Sequence, residues 1–369
     1  MAEVKPFRAL RYDEQKAGPL EDLVAPPFDV IGPAERLEYL DRSPFNIVHL
    51  TLPDSEGQAA RSLQEWRTEG ILVEDEPALW WLEQDYTGPD GVARTRRGLV
   101  VALRLEPYEN GVVLPHERTH AGPKEGRLRL LRATRAQLEP IFLLHEGEGP
   151  LEPPAGDPDV EAEGAGAVSR LWRVSDPAAH AATQNWFEGR TLLIADGHHR
   201  YETALAFHTE DGTPESARMM VVLVSREDEG LEIFPTHRVA KGLTPIVGTA
   251  GEAVPGGPYE GLRALQLVDG DKPAAVLYRK GETLLLRGEE RELDASFVER
   301  LGLEGVSYTP SADEAIAAVD SGKAEAAILL RPTRIDQVAA IAERGETMPQ
   351  KSTYFYPKLL SGLLIYPLQ

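Results

Sequence analysis

The chain has 369 residues, 42% hydrophobic and 27% charged, with a formal net charge of -21 and no cysteine. That composition is that of an ordinary globular protein with room for one large intertwined domain or two. It excludes disulfides, thiolate metal sites and cysteine nucleophiles, and the negative charge argues against non-specific binding to a nucleic-acid backbone, which needs a cationic surface.

No window approaches the roughly 18 to 20 apolar residues of a membrane span, so no membrane association is expected. Met1 to Pro6 shows neither a basic segment nor an apolar signal core, and the cytoplasm is the expected location.

The first expected strand is Pro6 to Leu10. Pro26 and Pro27 then hold Leu23 to Ile31 on an extended, non-helical path. A helix is expected over Pro33 to Leu40, a strand over Asn46 to Leu52, and an amphipathic helix over Gln58 to Glu69, stopped by Gly70. Ala78 to Tyr86 and Arg97 to Leu105 alternate around Gly88-Pro89-Asp90-Gly91 and read as an antiparallel hairpin.

A helix over Leu128 to Leu138 and a strand over Pro140 to His145 follow. Glu146 to Gly166 is acidic and rich in Gly and Pro, and an exposed loop is expected there. From Ser169 the pattern is strand, helix (Pro177 to Phe187), strand (Thr191 to Ala195), helix (Gly197 to His208) and strand (Ala217 to Ser225). Beyond Gly242 two short strands are expected around Ala274 to Arg287, then a helix (Asp313 to Val319), a strand (Ala326 to Leu330) and a helix (Ile335 to Arg344). The expected fold is α+β, a mixed sheet with flanking helices. A main domain spans 1–242, and a smaller α/β part spans 243–369 with a tail able to return to the main domain.

The chemistry concentrates at Asp196-Gly197-His198-His199-Arg200-Tyr201, where a buried strand meets a helix. Asp196 is placed to cap that helix, and His198, His199 and Arg200 crowd its first turn. First-turn N–H groups, the helix dipole and a fork-shaped guanidinium together suit a phosphate. A capped helix with a buried histidine is the structural alternative. Asp196 and His198 as metal ligands are the third reading, although their spacing is unspecific.

His116-Glu117-Arg118-Thr119-His120 matches the H-E-x-x-H zinc pattern, but Pro115 and Gly122-Pro123 leave barely one helical turn, so the zinc reading is rejected. Arg118, Lys124, Arg127 and Arg129 make this a basic loop able to reach an anion. Pro235-Thr236-His237-Arg238 and Lys351-Ser352-Thr353-Tyr354-Phe355-Tyr356-Pro357-Lys358 bring further cations and hydroxyls, and a solvated edge strand explains either equally well.

Together with Ala25-Pro26-Pro27-Phe28-Asp29-Val30, these runs resemble the bacterial and archaeal family catalogued as domain of unknown function 1015 (DUF1015), over nearly the whole chain, with Gly126 standing where an acidic residue is more usual. The Asp-Gly-His-His-Arg run also resembles the Asp-Gly-His-x-Arg motif of the ParB and sulfiredoxin superfamily, which includes nucleotide-binding ParB proteins and kinases acting on free serine. That resemblance implies a ParB/sulfiredoxin-like core and nucleotide phosphates held by Gly197 to Arg200, with Asp196 near the transferred group or its metal.

The expectation is therefore a kinase-type phosphotransferase acting on a small hydroxyl metabolite. Asp196, His198 and His199 are its catalytic residues, and Gly197, His198, His199, Arg200 and Lys351 bind phosphate. Asp29, His116, Glu117, Arg118, His237 and Arg238 handle substrate, with Mg²⁺ and ADP or ATP as cofactors and Asp196 as the metal-associated carboxylate. A phosphatase using the same pocket and a non-catalytic nucleotide switch are the rivals. No Walker-type loop is present, so this is not a P-loop enzyme.

Overall fold

The computed structural model describes residues 1–117, 121–243, 251–289 and 292–368. Two compact units emerge. The first comprises Met1–Pro115, Thr119–Leu231 and Pro357–Gln369, the second His116–Arg118 and Glu232–Tyr356.

A nine-stranded mixed sheet organises the first unit. Its strands in chain order are β1 (Val4–Lys5), β2 (Leu79–Thr87), β3 (Ala93–Arg104), β4 (Val113–Leu114), β5 (Ile141–His145), β6 (Val160–Gly164), β7 (Ala167–Val174), β8 (Leu192–Asp196) and β9 (Arg218–Ser225). They lie in the order β4-β8-β5-β9-β3-β2-β7-β6, with β1 paired on β3. Pairing is antiparallel except for β8 on β4 and β9 on β5, so the sheet is mixed, as the hairpin signal required. The central strands read as continuous apolar runs because both faces are covered.

On one face Leu99, Val101, Leu103, Ile141, Leu143, Leu192, Ile194, Val221 and Leu223 pack with Phe187 and Tyr201 from the helices Pro177–Phe187 and His198–Asp211. On the other, Leu359, Leu360, Leu363 and Leu364 of the C-terminal segment line a small cavity with Val100, Met220 and Val222. Burying each such side chain contributes about 1.5–3 kcal/mol.

Several expectations needed correction. Asn46 to Leu52, read as a strand, contains the one-turn helix Val48–Thr51. The Asn46 side chain accepts from Val48 N at 3.0 Å and donates to Asp22 O at 2.7 Å, turning the chain where β-branched residues alone suggested extension. The acidic Glu146 to Gly166 stretch includes strand β6, whose Val160 and Ala162 point inward at 5% and 2% exposure. It turns into β7 through Ala165 and Gly166, both at positive φ (51° and 78°). Phe28–Val30, placed on a non-helical path, forms a 3-10 turn after Pro27.

The helix expected over Leu128 to Leu138 runs instead over Ala121–Thr134, with Pro123 in its first turn, where a missing N–H costs nothing.

The second unit is built on a six-stranded sheet. Its strands are β10 (His237–Ala240), β11 (Gly251–Ala253), β12 (Ala274–Arg279), β13 (Glu282–Arg287), β14 (Ser307–Thr309) and β15 (Ala326–Leu329). They lie in the order β11-β13-β12-β15-β10-β14. Helices Pro258–Gln266 and Ala312–Asp320 supply Leu265, Ala315, Ile316 and Val319 to one core cluster, and Asp294–Glu299 supplies Phe297 and Val298 to another. No described helix is long and apolar enough to cross a membrane.

Candidate functional site

Strand β8 is buried through Ala195, and Asp196, its last residue, is half-buried. The register slips against β5 between Ile194 and Asp196, so the chain leaves the sheet at an irregularity. Gly197 then takes φ 104° and ψ 25°. A Cβ there would lie 2.4 Å from Ile141 Cγ2, so close packing and backbone conformation both demand glycine.

The helix begins at His198, and its N-cap is Gly197, which has no side chain to make a capping bond. The N-cap position, expected at Asp196, thus falls one residue later. The Asp196 carboxylate accepts from Arg200 Nη2 at 3.1 Å and from Lys358 Nζ at 3.1 Å, both charge-assisted bonds.

Arg200 is 9% exposed and also donates Nη1 to the Pro140 carbonyl at 2.5 Å. Behind it lies a second buried pair. Glu139, 6% exposed, accepts from Phe28 N at 2.8 Å and from Ser361 Oγ at 3.1 Å, and sits 3.6 Å from Arg127 Nη1. Arg127 stacks over the Phe28 ring, its Cζ 3.9 Å from the centroid, and donates to Thr51 O. Burial lowers the Arg127 pKa, and Glu139 opposes that shift. The exposed Asp29, next to Phe28, adds negative potential at both Arg127 and Arg200.

The C-terminal segment is held in register by backbone bonds between Ala25 and Ser361 and by the fully buried Arg96, which donates to Pro357 O at 2.7 Å and to Gln84. Burial pushes the Arg96 pKa down to about 10. Lys358 is thus presented to Asp196 from a fixed backbone.

The remaining expected residues divide between the units. In the first turn of the helix His198 is buried and His199 half-buried. Lys124 pairs with Glu202 at 2.6 Å and Arg129 with Glu56 at 2.8 Å; with Arg127 on Glu139, the expected basic loop is a set of ion-paired side chains on a helix.

His116, Glu117, His237, Arg238 and Lys351 belong to the second unit, and Arg118 lies outside the described residues. The lysine that reaches Asp196 is Lys358, which sequence reasoning noted but did not assign; Glu139 gave no signal at all, being a lone carboxylate before Pro140.

Among the described residues no group of three or more His, Asp or Glu side chains could hold a metal ion. Asp196, the expected metal-associated carboxylate, faces two cations instead. The donor set does not fit a protein-held Mg²⁺.

The family model described as "Protein of unknown function (DUF1015)" matches residues 4–253. The chain belongs to the DUF1015 family. No curated protein sequence matches it. Among solved structures, a free serine kinase in complex with AMP is 14% identical, with a TM-score of 0.42, covering 70% of this chain and 86% of the kinase. A conserved hypothetical protein from Pyrococcus furiosus is 15% identical, with a TM-score of 0.39, covering 70% of this chain and 90% of its own. SbnI with a C-terminal truncation, from Staphylococcus aureus, is 13% identical, with a TM-score of 0.40, covering 72% of this chain and 87% of its own.

Proposed function

We propose that this DUF1015 chain binds the phosphate of a nucleotide at the start of the helix His198–Asp211 and transfers a phosphoryl group to the hydroxyl of a small metabolite. The observation that carries the reading is the Asp196 carboxylate held between Lys358 and Arg200 immediately before a helix N-terminus whose N-cap is a glycine. An incoming phosphate would find backbone donors, the positive end of the helix dipole and the Lys358 ammonium within one turn.

In the proposed step the acceptor hydroxyl gives its proton to Asp196 and its oxygen bonds to phosphorus. The bond from phosphorus to the bridging oxygen breaks, leaving the shortened nucleotide. Lys358 and Arg200 offset the charge, and the chain's contribution is positioning and electrostatics. The Asp-Gly-His-x-Arg resemblance makes free serine the first acceptor to try.

A second reading, a non-catalytic nucleotide switch, is favoured by the same pairing: a carboxylate already engaged by two cations is a weak base. Incubating the full chain with serine and ATP or ADP, and separately with phosphoserine, while following ³¹P by NMR, tests both. Phosphoserine formation supports the kinase, and phosphate release from phosphoserine supports a phosphatase in the same pocket. Calorimetric nucleotide binding that is lost in Lys358→Met, without turnover, supports the switch. No nucleotide binding at all rejects the site.

A further inference from the structure

Three runs that the Asp196 site leaves unused come together inside the second unit. Strand Glu232–Phe234 pairs antiparallel with Tyr354–Tyr356. The His116 carbonyl accepts from Met348 N at 2.7 Å, and Glu117 bridges Met348. His116 Nε2 lies 3.2 Å from Thr353 Oγ1, and Lys351 N donates to Glu117 Oε2 at 3.3 Å. Lys351 adopts φ 57°, a left-handed conformation that a residue with a Cβ takes only where its surroundings impose it.

Arg238 on β10 is 4% exposed. It donates Nη1 to the carbonyl of Thr236, and its Cζ lies 5.2 Å from the Tyr308 ring centroid. Among the described residues no carboxylate forms an ion pair with it; Glu299 and Glu117 act only through space. Thr236, two residues earlier and the acceptor of the Arg238 bond through its carbonyl, is 4% exposed, and its hydroxyl has no partner.

Arg331, in the same unit, shows how a structural arginine is satisfied in this fold. Asp294 clamps it at 2.7 and 2.8 Å, and the carbonyls of Val268 and Lys272 take its remaining donors. A guanidinium buried without a counter-anion and a hydroxyl buried without a partner are each costly. Two residues apart, with the guanidinium already on the Thr236 carbonyl, they supply donors for one receptor.

We propose that the second unit binds a small oxyanion, the carboxylate or phosphate of a metabolite, between the Arg238 guanidinium and the Thr236 hydroxyl. His237 holds the pair in place from the opposite face: it is 2% exposed, and its Nδ1 accepts from Leu330 N at 3.1 Å. The site is independent of the Asp196 reading, since every residue named belongs to the second unit.

The test is calorimetry of the full chain with inorganic phosphate and, separately, with malonate, in the wild type, Lys358→Met, Arg238→Gln and Thr236→Val. The expected result is a saturable site that survives Lys358→Met and weakens at least tenfold in Arg238→Gln and in Thr236→Val; the probe that binds identifies the anionic group. Thr236→Val keeps the side-chain shape and removes only the unpartnered hydroxyl, so it decides the matter if Arg238→Gln does not fold. Overturning results are no saturable binding of either probe in Lys358→Met, or binding unchanged by Thr236→Val.

Discussion

Asp196 and Lys358 sit 3.1 Å apart although 162 positions separate them in the chain, and the lysine side chain is only 13% exposed. Asp196 keeps Arg200 when Lys358 is removed, so Lys358→Met should change stability by about 1 kcal/mol or less while weakening phosphate or nucleotide binding at least tenfold. Urea denaturation beside calorimetry checks both halves. Equal affinity in the mutant would remove Lys358 from the site.

Arg200→Ala should behave differently. It leaves the Pro140 carbonyl without its donor, leaves Asp196 paired with Lys358 and empties a buried volume, so a loss of about 2–5 kcal/mol is expected. A variant that melts near the wild-type temperature would contradict this role for Arg200.

At Gly197 the backbone conformation and Ile141 act together. Gly197→Ala should cost about 2–4 kcal/mol, combining a left-handed φ penalty with overpacking. In an Ile141→Ala background, which removes the clashing Cγ2, the cost of Gly197→Ala should fall by less than half, because Ile141 Cβ and the φ penalty remain. The measurement is a double-mutant cycle by chemical denaturation; full recovery would show that φ carries none of the cost.

Glu139 is buried against Arg127, the Phe28 amide and the Ser361 hydroxyl. Glu139→Gln leaves Arg127 without its counter-ion and should lower stability by about 2–4 kcal/mol. It should also loosen the Pro26 to Val30 turn, read as faster limited proteolysis there. Unchanged cleavage would mean that Glu139 does not hold this turn.

Burial lowers two histidine pKa values to about 4: His145, wedged edge-on against Trp186 and Phe187, and His237, where Arg238 adds to the effect. The ordinary value for both is 6.5, so between pH 6.5 and 4 the unfolded chain binds more protons than the folded one. Stability is then fully present above about pH 6.5 and falls as pH drops toward 4, by about 1–3 kcal/mol per histidine. His145→Phe should flatten part of that fall, measured as melting temperature against pH. An identical slope in the variant would show that His145 does not drive it.

Elements with one strong local period were legible. The Leu79–Thr87 and Ala93–Arg104 hairpin, the helix Pro177–Phe187 and the strand Ile141–His145 were read within a few residues, because alternation, a proline at the helix start or a continuous apolar run settles each locally. Val48–Thr51 was misread because its decisive bonds run from Asn46 to Asp22, a contact that no local window contains. The candidate site follows the same division. The Asp196-Gly197 turn and its first-turn histidines could be named from sequence, whereas only the folded chain shows that Lys358 reaches Asp196 and that Lys351, seven residues earlier, belongs to the second unit.

From the sequence alone came the absence of cysteine chemistry, the buried strand leading into Asp196, the glycine at its end and a crowd of cations in the turn that follows. Those properties are local, carried by residue type and spacing. Tertiary structure alone decided which cations neutralise Asp196, that Glu139 and Arg127 form a buried pair behind it, and that Arg238 is buried with no acidic partner among the described residues. Each depends on residues tens or hundreds of positions apart being set at ångström distances, and only the folded sheet and its packed segments fix those distances.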